Sequence, residues 1–202
     1  MSTEKDPIFS IGHGNRTPDA FLTLLKNHGI EYLIDVRSQP YSKFNPHYNQ
    51  NELKTFLENN GVKYVFMGDS IGGRPDRNKY KVCYHENDTV DYEAIRMQDF
   101  FKKGLDRLKT AYDKGVKVVM MCSESNPCEC HRSKLIGREL DAMNIPLKHI
   151  DEKGKLKADL MYPSKYVEVN FYEGSVGPTY SIGSVKQTHE RLIQVSESLT
   201  KE

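Results

Sequence analysis

Three of the four cysteines lie within one short stretch, MMCSESNPCECHRSKL at residues 120–135. This stretch leads from an apolar run into a sequence pattern that is typical of a helix. A thiol near a helix N-terminus ionises more readily, and the thiolate is the nucleophilic form of cysteine. Arg132 adds a planar set of donors that matches phosphate. The stretch therefore predicts an anion site at a helix N-terminus, with Cys122 or Cys130 as a nucleophilic or redox-active thiol.

Two other interpretations of this stretch remain open, and a third is excluded. The three cysteines and His131 offer four ligands for a metal ion, but the C-x5-C-x-C-H spacing lacks the separated ligand pairs of a structural zinc site. Adjacent Cys130 and His131 are also not expected to point at one ion, so no metal and no other cofactor is predicted. The cysteines could instead fill space at a sheet edge. A phosphatase-type C-x5-R loop is excluded because ten positions separate Cys122 from Arg132.

The flanking sequence alternates between short apolar runs and amphipathic segments, which predicts strands and helices in turn. The predicted strands are PIFSIGHG, EYLIDVRS, VKYVFMG, VKVVMMCS and IPLKHID. Helices are predicted at residues 18–29, 51–61, 92–113 and 131–144, and a long polar loop at 68–91. Strands and helices that alternate in this way form a mostly parallel sheet through right-handed crossovers. We therefore predict an α/β, Rossmann-like three-layer fold.

The composition indicates one domain with an extension. With 202 residues, 37% of them apolar, the chain can bury one core. We predict an α/β domain at residues 7–152 and a C-terminal accessory extension at 153–202, packed on the same body, in which VEVNFYEG fits an edge strand. A formal charge of +1 excludes a surface that binds polyanions everywhere. No apolar run reaches the roughly 18 residues of a membrane span, and clustered cysteines make a poor disulfide framework, so a cytoplasmic protein with no membrane partner is expected.

Polar side chains collect where the predicted strands end. His13, Asn15 and Arg16 follow the first strand, Asp35 and Arg37 the second, Gly72, Gly73 and Arg74 the third, and Cys122 and Glu124 the fourth. Parallel strands bring their carboxyl ends to one edge of the sheet, where ligands bind. One site is therefore expected at that edge, with His13, Asp35 or Glu124 as the group that transfers protons.

Two loops near this edge are basic. RSQPYSKFNPHYNQ, at residues 37–50, interleaves cations with aromatic rings, as a surface that stacks single-stranded bases would. The alternative is a surface loop whose rings pack back on the body. GGRPDRNKYK is also basic but lacks the Lys-Ser/Thr end of a nucleotide P-loop. The two loops leave the choice between nucleic-acid binding and structure open.

Four ordered motifs resemble those of the domain-of-unknown-function 488 family. They are GHGNR, DVRSQPYS, GGR and CSESNPCECHR, and the resemblance covers residues 8–151. It implies that the motif residues His13, Asn15, Arg16, Asp35, Arg37, Ser42, Gly72, Gly73, Arg74, Cys122, Glu124, Cys130, His131 and Arg132 form the site. Cys128 falls at a position that the family pattern leaves variable, which weakens a metal site that needs all three thiols. The resemblance implies a fold and a site but no reaction.

From the thiols, the proton-transfer groups and the arginines at this edge, the sequence predicts a hydrolase or group transferase that acts on a phosphate-bearing nucleotide or nucleic-acid substrate. Hydride transfer is disfavoured because no G-x-G-x-x-G motif follows a strand. The predicted catalytic residues are Cys122, Cys130, His13, Asp35 and Glu124. The predicted substrate-binding residues are Asn15, Arg16, Arg37, Ser42, Gly72, Gly73, Arg74, His131 and Arg132. The alternatives are a non-catalytic nucleotide or nucleic-acid binding module and a metal-stabilised interaction domain.

Overall fold

A computed structural model describes residues 5–159 and contains a mostly parallel sheet. The strands in this range are β1 Ile8–Gly12, β2 Tyr32–Asp35, β3 Lys63–Phe66, β4 Val118–Cys122, β5 Leu147–Ile150 and β6 Leu156–Ala158. Their order is β3-β2-β4-β1-β5-β6, and the strand pairs are parallel except for β5 with β6. The five predicted strands are confirmed, and β4 and β1 lie in the middle of the sheet.

Helices cover both faces of this sheet. They are α1 Pro18–Asn27, α2 Gln50–Asn59, α3 Gly68–Ile71, α4 Tyr92–Arg96, α5 Asp99–Asp113 and α6 Arg138–Ala142, and a π-helix at Arg132–Gly137 precedes α6. Thr17 caps α1 by accepting a hydrogen bond from the Ala20 N–H, and proline occupies the first turn. Within the described residues, no helix is long and apolar enough to cross a membrane.

The core has two layers because successive strand residues point to opposite faces of the sheet. On one face, Phe21 and Leu25 of α1 and Leu53 of α2 pack with strand residues such as Met121. On the other face, the core includes the neighbouring Met120, Phe101 of α5 and Leu140 of α6. The predicted α/β, Rossmann-like three-layer architecture is therefore confirmed.

Two predicted helices differ from the observed ones. The helix expected at 92–113 is broken into α4 and α5 at Gln98, whose extended backbone (φ −78°, ψ 141°) interrupts the helix. The helix expected at 131–144 begins as the π-helix, a rare conformation that is frequent at functional sites. The predicted loop 68–91 contains α3 and a 3-10 turn at Lys81–Cys83.

The sheet continues past residue 152, where the accessory extension is predicted to begin. The Asp151 carboxylate accepts hydrogen bonds from the Lys153 and Lys155 N–H groups, and this turn returns the chain as β6 along β5. The first part of the extension thus adds an edge strand. The edge strand predicted at VEVNFYEG lies outside the described residues, as does the terminal helix that the segment VKQTHERLIQVSESL predicts.

Candidate functional site

A polar cleft of about 610 Å3 opens at the carboxyl ends of the parallel strands. Ten of the fourteen predicted site residues, all of them in the described part of the chain, line this cleft: His13, Asn15, Arg37, Ser42, Gly73, Arg74, Cys122, Glu124, Cys130 and His131. The other four, Arg16, Asp35, Gly72 and Arg132, do not line it. The strand order therefore brings most of the predicted residues to one cavity.

Two thiols, a carboxylate and a histidine meet in the cleft, and we call Cys122, Glu124, Cys130 and His131 the thiol cluster. The Sγ atoms of Cys122 and Cys130 lie 3.9 and 3.5 Å from His131 Nδ1. The Cys122 thiol donates a hydrogen bond to Glu124 Oε2, which lies 3.4 Å from Cys130 Sγ. Both cysteines are 3% exposed or less. These contacts allow a proton to pass between the sulfurs, the ring and the carboxylate.

The orientation of His131 fixes which ring nitrogen can act as a base. The carbonyl oxygen of Val36 only accepts hydrogen bonds, so the Nε2 atom of His131, 2.9 Å away, carries the proton. Nδ1 is then free to accept a proton from either thiol. Gly73 packs against the other side of the ring, where an added Cβ would lie 2.7 Å from Cγ of His131. The second glycine of the GGR motif therefore leaves room for this ring.

The two thiols are unequal in charge. The contact with Cys122 lowers the pKa of Cys130 well below that of a free thiol, and the neighbouring His131 and the charge of Arg132 act in the same direction. Cys130 in turn raises the pKa of Cys122, together with burial and the Glu124 carboxylate. Ionisation of the pair therefore falls on Cys130 rather than on Cys122.

Arg132 occupies a different position from the one that the sequence predicts. The guanidinium is 1% exposed and donates to Cys130 Sγ at 3.2 Å, to Ser10 Oγ at 2.9 Å and to the Glu124 carbonyl. Its donors face protein atoms behind the cleft rather than a bound anion. Arg132 therefore ties the Glu124 loop to β1 and provides a positive charge beside the thiolate.

Two glycines close to the cleft are required by short backbone distances. A Cβ at Gly12 would lie 2.0 Å from the Glu124 carbonyl oxygen, and a Cβ at Gly72 would lie 2.1 Å from the Gly68 carbonyl oxygen. The sequence predicts substrate binding by Gly72, but the structure places this residue at the end of α3, against the Gly68 carbonyl and the Ser38 hydroxyl. Gly12 lets the Glu124 loop approach the end of β1, and Gly72 leaves room for Ser38, which lines the cleft.

His13 presents an unused acceptor in the cleft. Its Nδ1–H donates to the Gly14 carbonyl at 2.8 Å, and its ring stacks on Tyr48 with a centroid distance of 4.0 Å. Nε2 is buried and has no hydrogen-bond partner among residues 5–159. Burial lowers the pKa of His13 to about 4, so the ring is neutral near pH 7. A substrate or water O–H or N–H group could therefore donate to Nε2.

Asp35 and Arg37 form a buried ion pair. Arg37 donates to both carboxylate oxygens of Asp35, at 2.9 and 2.6 Å, and to the Tyr48 carbonyl. The Tyr64 hydroxyl donates to the same carboxylate at 2.7 Å. Asp35 is fully buried with these partners and does not line the cleft, so it has no contact with a substrate proton. The structure makes it the group that orients Arg37.

The remaining predicted residues lie at the cleft rim. Arg16 donates to the carbonyl oxygens at the end of β1 and does not face the cavity. Asn15 accepts a hydrogen bond from Asn45, and Ser42 accepts one from the Asn45 N–H. Arg74 is exposed and makes no ion pair within the described residues. Arg74 is therefore a cation at the cleft rim that is available to bind an anion.

Several residues that shape the cleft are not among those predicted from the sequence. Ser38 and Tyr92 line it, Ser10 accepts from Arg132, and Tyr64 binds Asp35. A polar residue inside the apolar run IFSIG was a signal for Ser10. No pattern pointed to the other three, because their partners are distant in the sequence.

The aromatic residues of the loop at 37–50 support both interpretations, each through different side chains. Tyr48 is fully buried and packs on His13, as the structural interpretation predicts. Tyr41 and Phe44 are 73% and 90% exposed, and Tyr41 lines the cleft. These two rings are available to stack on a planar ligand.

The thiol cluster also has the donor set of a metal site. The ligand atoms of Cys122, Cys130 and His131 all lie within 4.8 Å of one another and are buried. The bond from His131 to a backbone carbonyl is the usual outer contact of a metal-bound histidine. The expectation that Cys130 and His131 diverge is therefore wrong. Two thiolates and an imidazole suit zinc, with a fourth position left for water or for Glu124.

Comparisons with known proteins agree with the motif resemblance. The model of the family described as Domain of unknown function DUF488 matches residues 17–138, which is more than half of the chain. Searches among curated proteins and among solved structures gave no match. The motifs that build the cleft and this family match lead to one conclusion: the chain belongs to the DUF488 family.

Proposed function

We propose that this protein is a hydrolase or group transferase that acts on a phosphate-bearing nucleotide or nucleic-acid substrate, with Cys130 as the nucleophile. The observation that carries the proposal is the contact of both thiols with His131 Nδ1 at a polar cleft, while a backbone carbonyl holds Nε2. Nucleophile, base and an orienting group within hydrogen-bond reach are the usual signature of covalent catalysis.

The other cleft residues take supporting roles. His131 accepts the thiol proton, and Glu124 exchanges a proton with Cys122. In a hydrolase, His13 Nε2 accepts the proton of the attacking water, because it is neutral and has no protein partner among the described residues. Arg74 and Arg37 line the cleft and attract the phosphate. Asp35 and Arg132 act through the residues that they hold.

A substrate panel with cysteine variants tests the proposal. Nucleoside phosphates, phosphodiesters and short oligonucleotides are incubated with the protein, and products are followed by mass spectrometry. Cys130→Ser should reduce turnover by about 1,000-fold or more, as loss of a covalent nucleophile does. Cys128→Ser is the matched control, since Cys128 lies in the same loop but does not line the cleft. Full turnover by Cys130→Ser would contradict the proposal. Binding of a substrate by the native chain without any turnover would favour the binding module.

A metal centre is the second candidate, because the donor atoms of Cys122, Cys130 and His131 converge within 4.8 Å. In that case Cys122, Cys130 and His131 would hold a zinc ion, which would supply the activation of a bound water. Elemental analysis of protein purified without chelator separates the two candidates. About one equivalent of zinc that disappears in Cys122→Ala would support the metal centre, whereas less than about a tenth of an equivalent would exclude it.

A further inference from the structure

A second cleft, of about 580 Å3, adjoins the first at Ser38 and Arg74, which line both. It lies between the first turn after β3, the basic loop GGRPDRNKYK and the N-terminal half of α5. The Arg74 N–H donates to Ser38 Oγ at 2.8 Å, so the shared border is an ordered part of the wall. A ligand too long for the first cleft could therefore continue past Arg74 into the second.

Basic side chains dominate the second cleft. Arg74, Lys79, Lys103 and Arg107 line it, and all four are exposed. None of them pairs with a carboxylate within the part of the chain that the structure describes. Against these four cations, the cleft lining contains two carboxylates, those of Asp69 and Asp76. The Asp76 carboxylate accepts a hydrogen bond from the Asn78 N–H of its own loop. The cleft therefore carries an excess of positive charge.

Aromatic rings lie between these cations. Phe66, Tyr80 and Phe100 line the cleft and are partly exposed. Tyr80 and Phe100 pack with a ring-centroid distance of 4.2 Å, and the Lys79 ammonium lies 5.1 Å from the Tyr80 centroid. Tyr41 and Phe44 expose two more rings near the first cleft. Cations that track a backbone, with ring faces between them, are what a single-stranded nucleic acid requires.

We propose that the substrate is a single-stranded polynucleotide, with the reacting nucleotide in the first cleft and the adjoining backbone phosphates in the second. The inference rests on the proposed function, whose substrate class it narrows from phosphate-bearing molecules to strands of several nucleotides. Lys103 and Arg107 are one helical turn apart on α5, so their side chains reach successive points along the same path. Arg74 contacts the phosphate at the border between the clefts.

Fluorescence anisotropy with the full chain tests this proposal. The probes are fluorescein-labelled oligo-dT and oligo-U of two and twelve nucleotides, with a twelve-base-pair duplex for comparison, at low and physiological salt. The test variant is Lys103→Ala with Arg107→Ala. The control, Lys102→Ala with Lys109→Ala, removes the same charge from exposed positions of the same helix that do not line the cleft.

The twelve-nucleotide strand should bind the test variant about tenfold more weakly, and the slope of log affinity against log salt should fall by about 1.4, because two phosphate contacts are lost. The dinucleotide should bind the native chain and both variants with equal affinity. The control variant should bind every probe with an affinity within about twofold of that of the native chain. Comparison of dT with U distinguishes DNA from RNA as the source of the strand.

Three results would overturn the inference: no binding of the twelve-nucleotide strand by the native chain, an equal loss in the control variant, or tighter binding of the duplex than of the strand. The outcome is separable from that of the proposed function. Length-dependent binding without turnover would support strand binding in the second cleft and contradict the thiol chemistry. Turnover of mononucleotides without an effect of strand length would support the thiol chemistry and contradict strand binding in the second cleft.

Discussion

The thiol cluster and a second cluster nearby contain similar chemical groups but differ in access and in orientation. The second, which we call the serine cluster, consists of Ser133, His149 and Asp159. All three are buried, and none lines the cleft. Ser133 Oγ donates to Asp159 at 2.9 Å and lies 3.2 Å from His149 Nε2, while Asp159 lies 3.6 Å from the same nitrogen.

The difference shows what a catalytic arrangement needs beyond residue type. In a relay, the orienting group binds one ring nitrogen and leaves the other for the nucleophile. His131 meets this condition, because the Val36 carbonyl binds Nε2 and the thiols approach Nδ1. In the serine cluster both partners approach Nε2, and His149 Nδ1 has no hydrogen-bond partner among residues 5–159. The serine cluster is therefore interpreted as a structural network.

Arg132 contacts Cys130 and Glu124 of the thiol cluster and directly precedes Ser133 in the sequence, and its removal should have the largest effect on stability. Arg132→Ala leaves Ser10 Oγ and the Glu124 carbonyl without their donor and removes the charge beside the thiolate. Loss of a buried, fully bonded guanidinium should lower the free energy of unfolding by about 3 to 5 kcal/mol. Urea denaturation measures this value. A loss below about 1 kcal/mol would show that the guanidinium is solvated and faces the cleft.

The neutral His13 should make stability depend on pH. Burial lowers its pKa from 6.5 to about 4, so the unfolded chain binds more protons between these values. The free energy of unfolding should therefore fall as the pH drops from about 6.5 to 4, with a contribution of roughly 3 kcal/mol. Denaturation at several pH values should show a steeper decline for the native chain than for His13→Gln. Equal slopes in both proteins would mean that His13 is protonated in the fold.

Gly73→Ala tests whether the position of the His131 ring matters for the thiol cluster. The added Cβ would lie 2.7 Å from Cγ of His131 and must displace the ring or the loop. We expect a destabilisation of about 1 to 3 kcal/mol, as for overpacking, and a larger relative loss of cysteine reactivity. Alkylation kinetics and urea denaturation of the same variant separate the two effects. Native reactivity in this variant would show that the thiols do not depend on His131.

Ser133→Ala should have the smallest effect on function, and it therefore tests whether the serine cluster is only structural. The change removes a hydroxyl that bonds Asp159 and His149 but touches no cleft atom. We expect a stability loss of about 1 kcal/mol and turnover and alkylation rates close to those of the native chain. A fall in turnover of more than about tenfold would show that the serine cluster, rather than the thiol cluster, carries the reaction.

The sequence was informative where regular geometry decides the outcome. Parallel strands bring their ends to one edge, so the sequence pattern alone places residues as distant as His13 and Cys130 in one cleft. It does not predict the position of Arg132, because its acceptor Ser10 lies 122 positions away on strand β1. Strand β6 has no apolar alternation, since its three residues are exposed and its pairing depends on the turn at Asp151.

Local backbone geometry explains why Cys130 and His131 converge although they are adjacent in the sequence. Neighbouring side chains diverge in a regular strand, but Cys130 is extended whereas His131 is already helical. This change of conformation turns both side chains toward Cys122. A rare π-helix follows directly, and no sequence pattern predicts its position.

The most direct test of the central claim, that the thiol cluster is the reactive centre, is the alkylation rate of each cysteine at pH 6.5. Iodoacetamide treatment followed by peptide mass spectrometry reports all four cysteines in one sample. Cys130 is buried in the cleft and Cys128 is more exposed, so accessibility alone would favour Cys128. The account predicts that Cys130 is modified first and that an added nucleotide slows its modification. Faster modification of Cys128, with Cys130 unreactive below about pH 8.5 and indifferent to nucleotide, would contradict it.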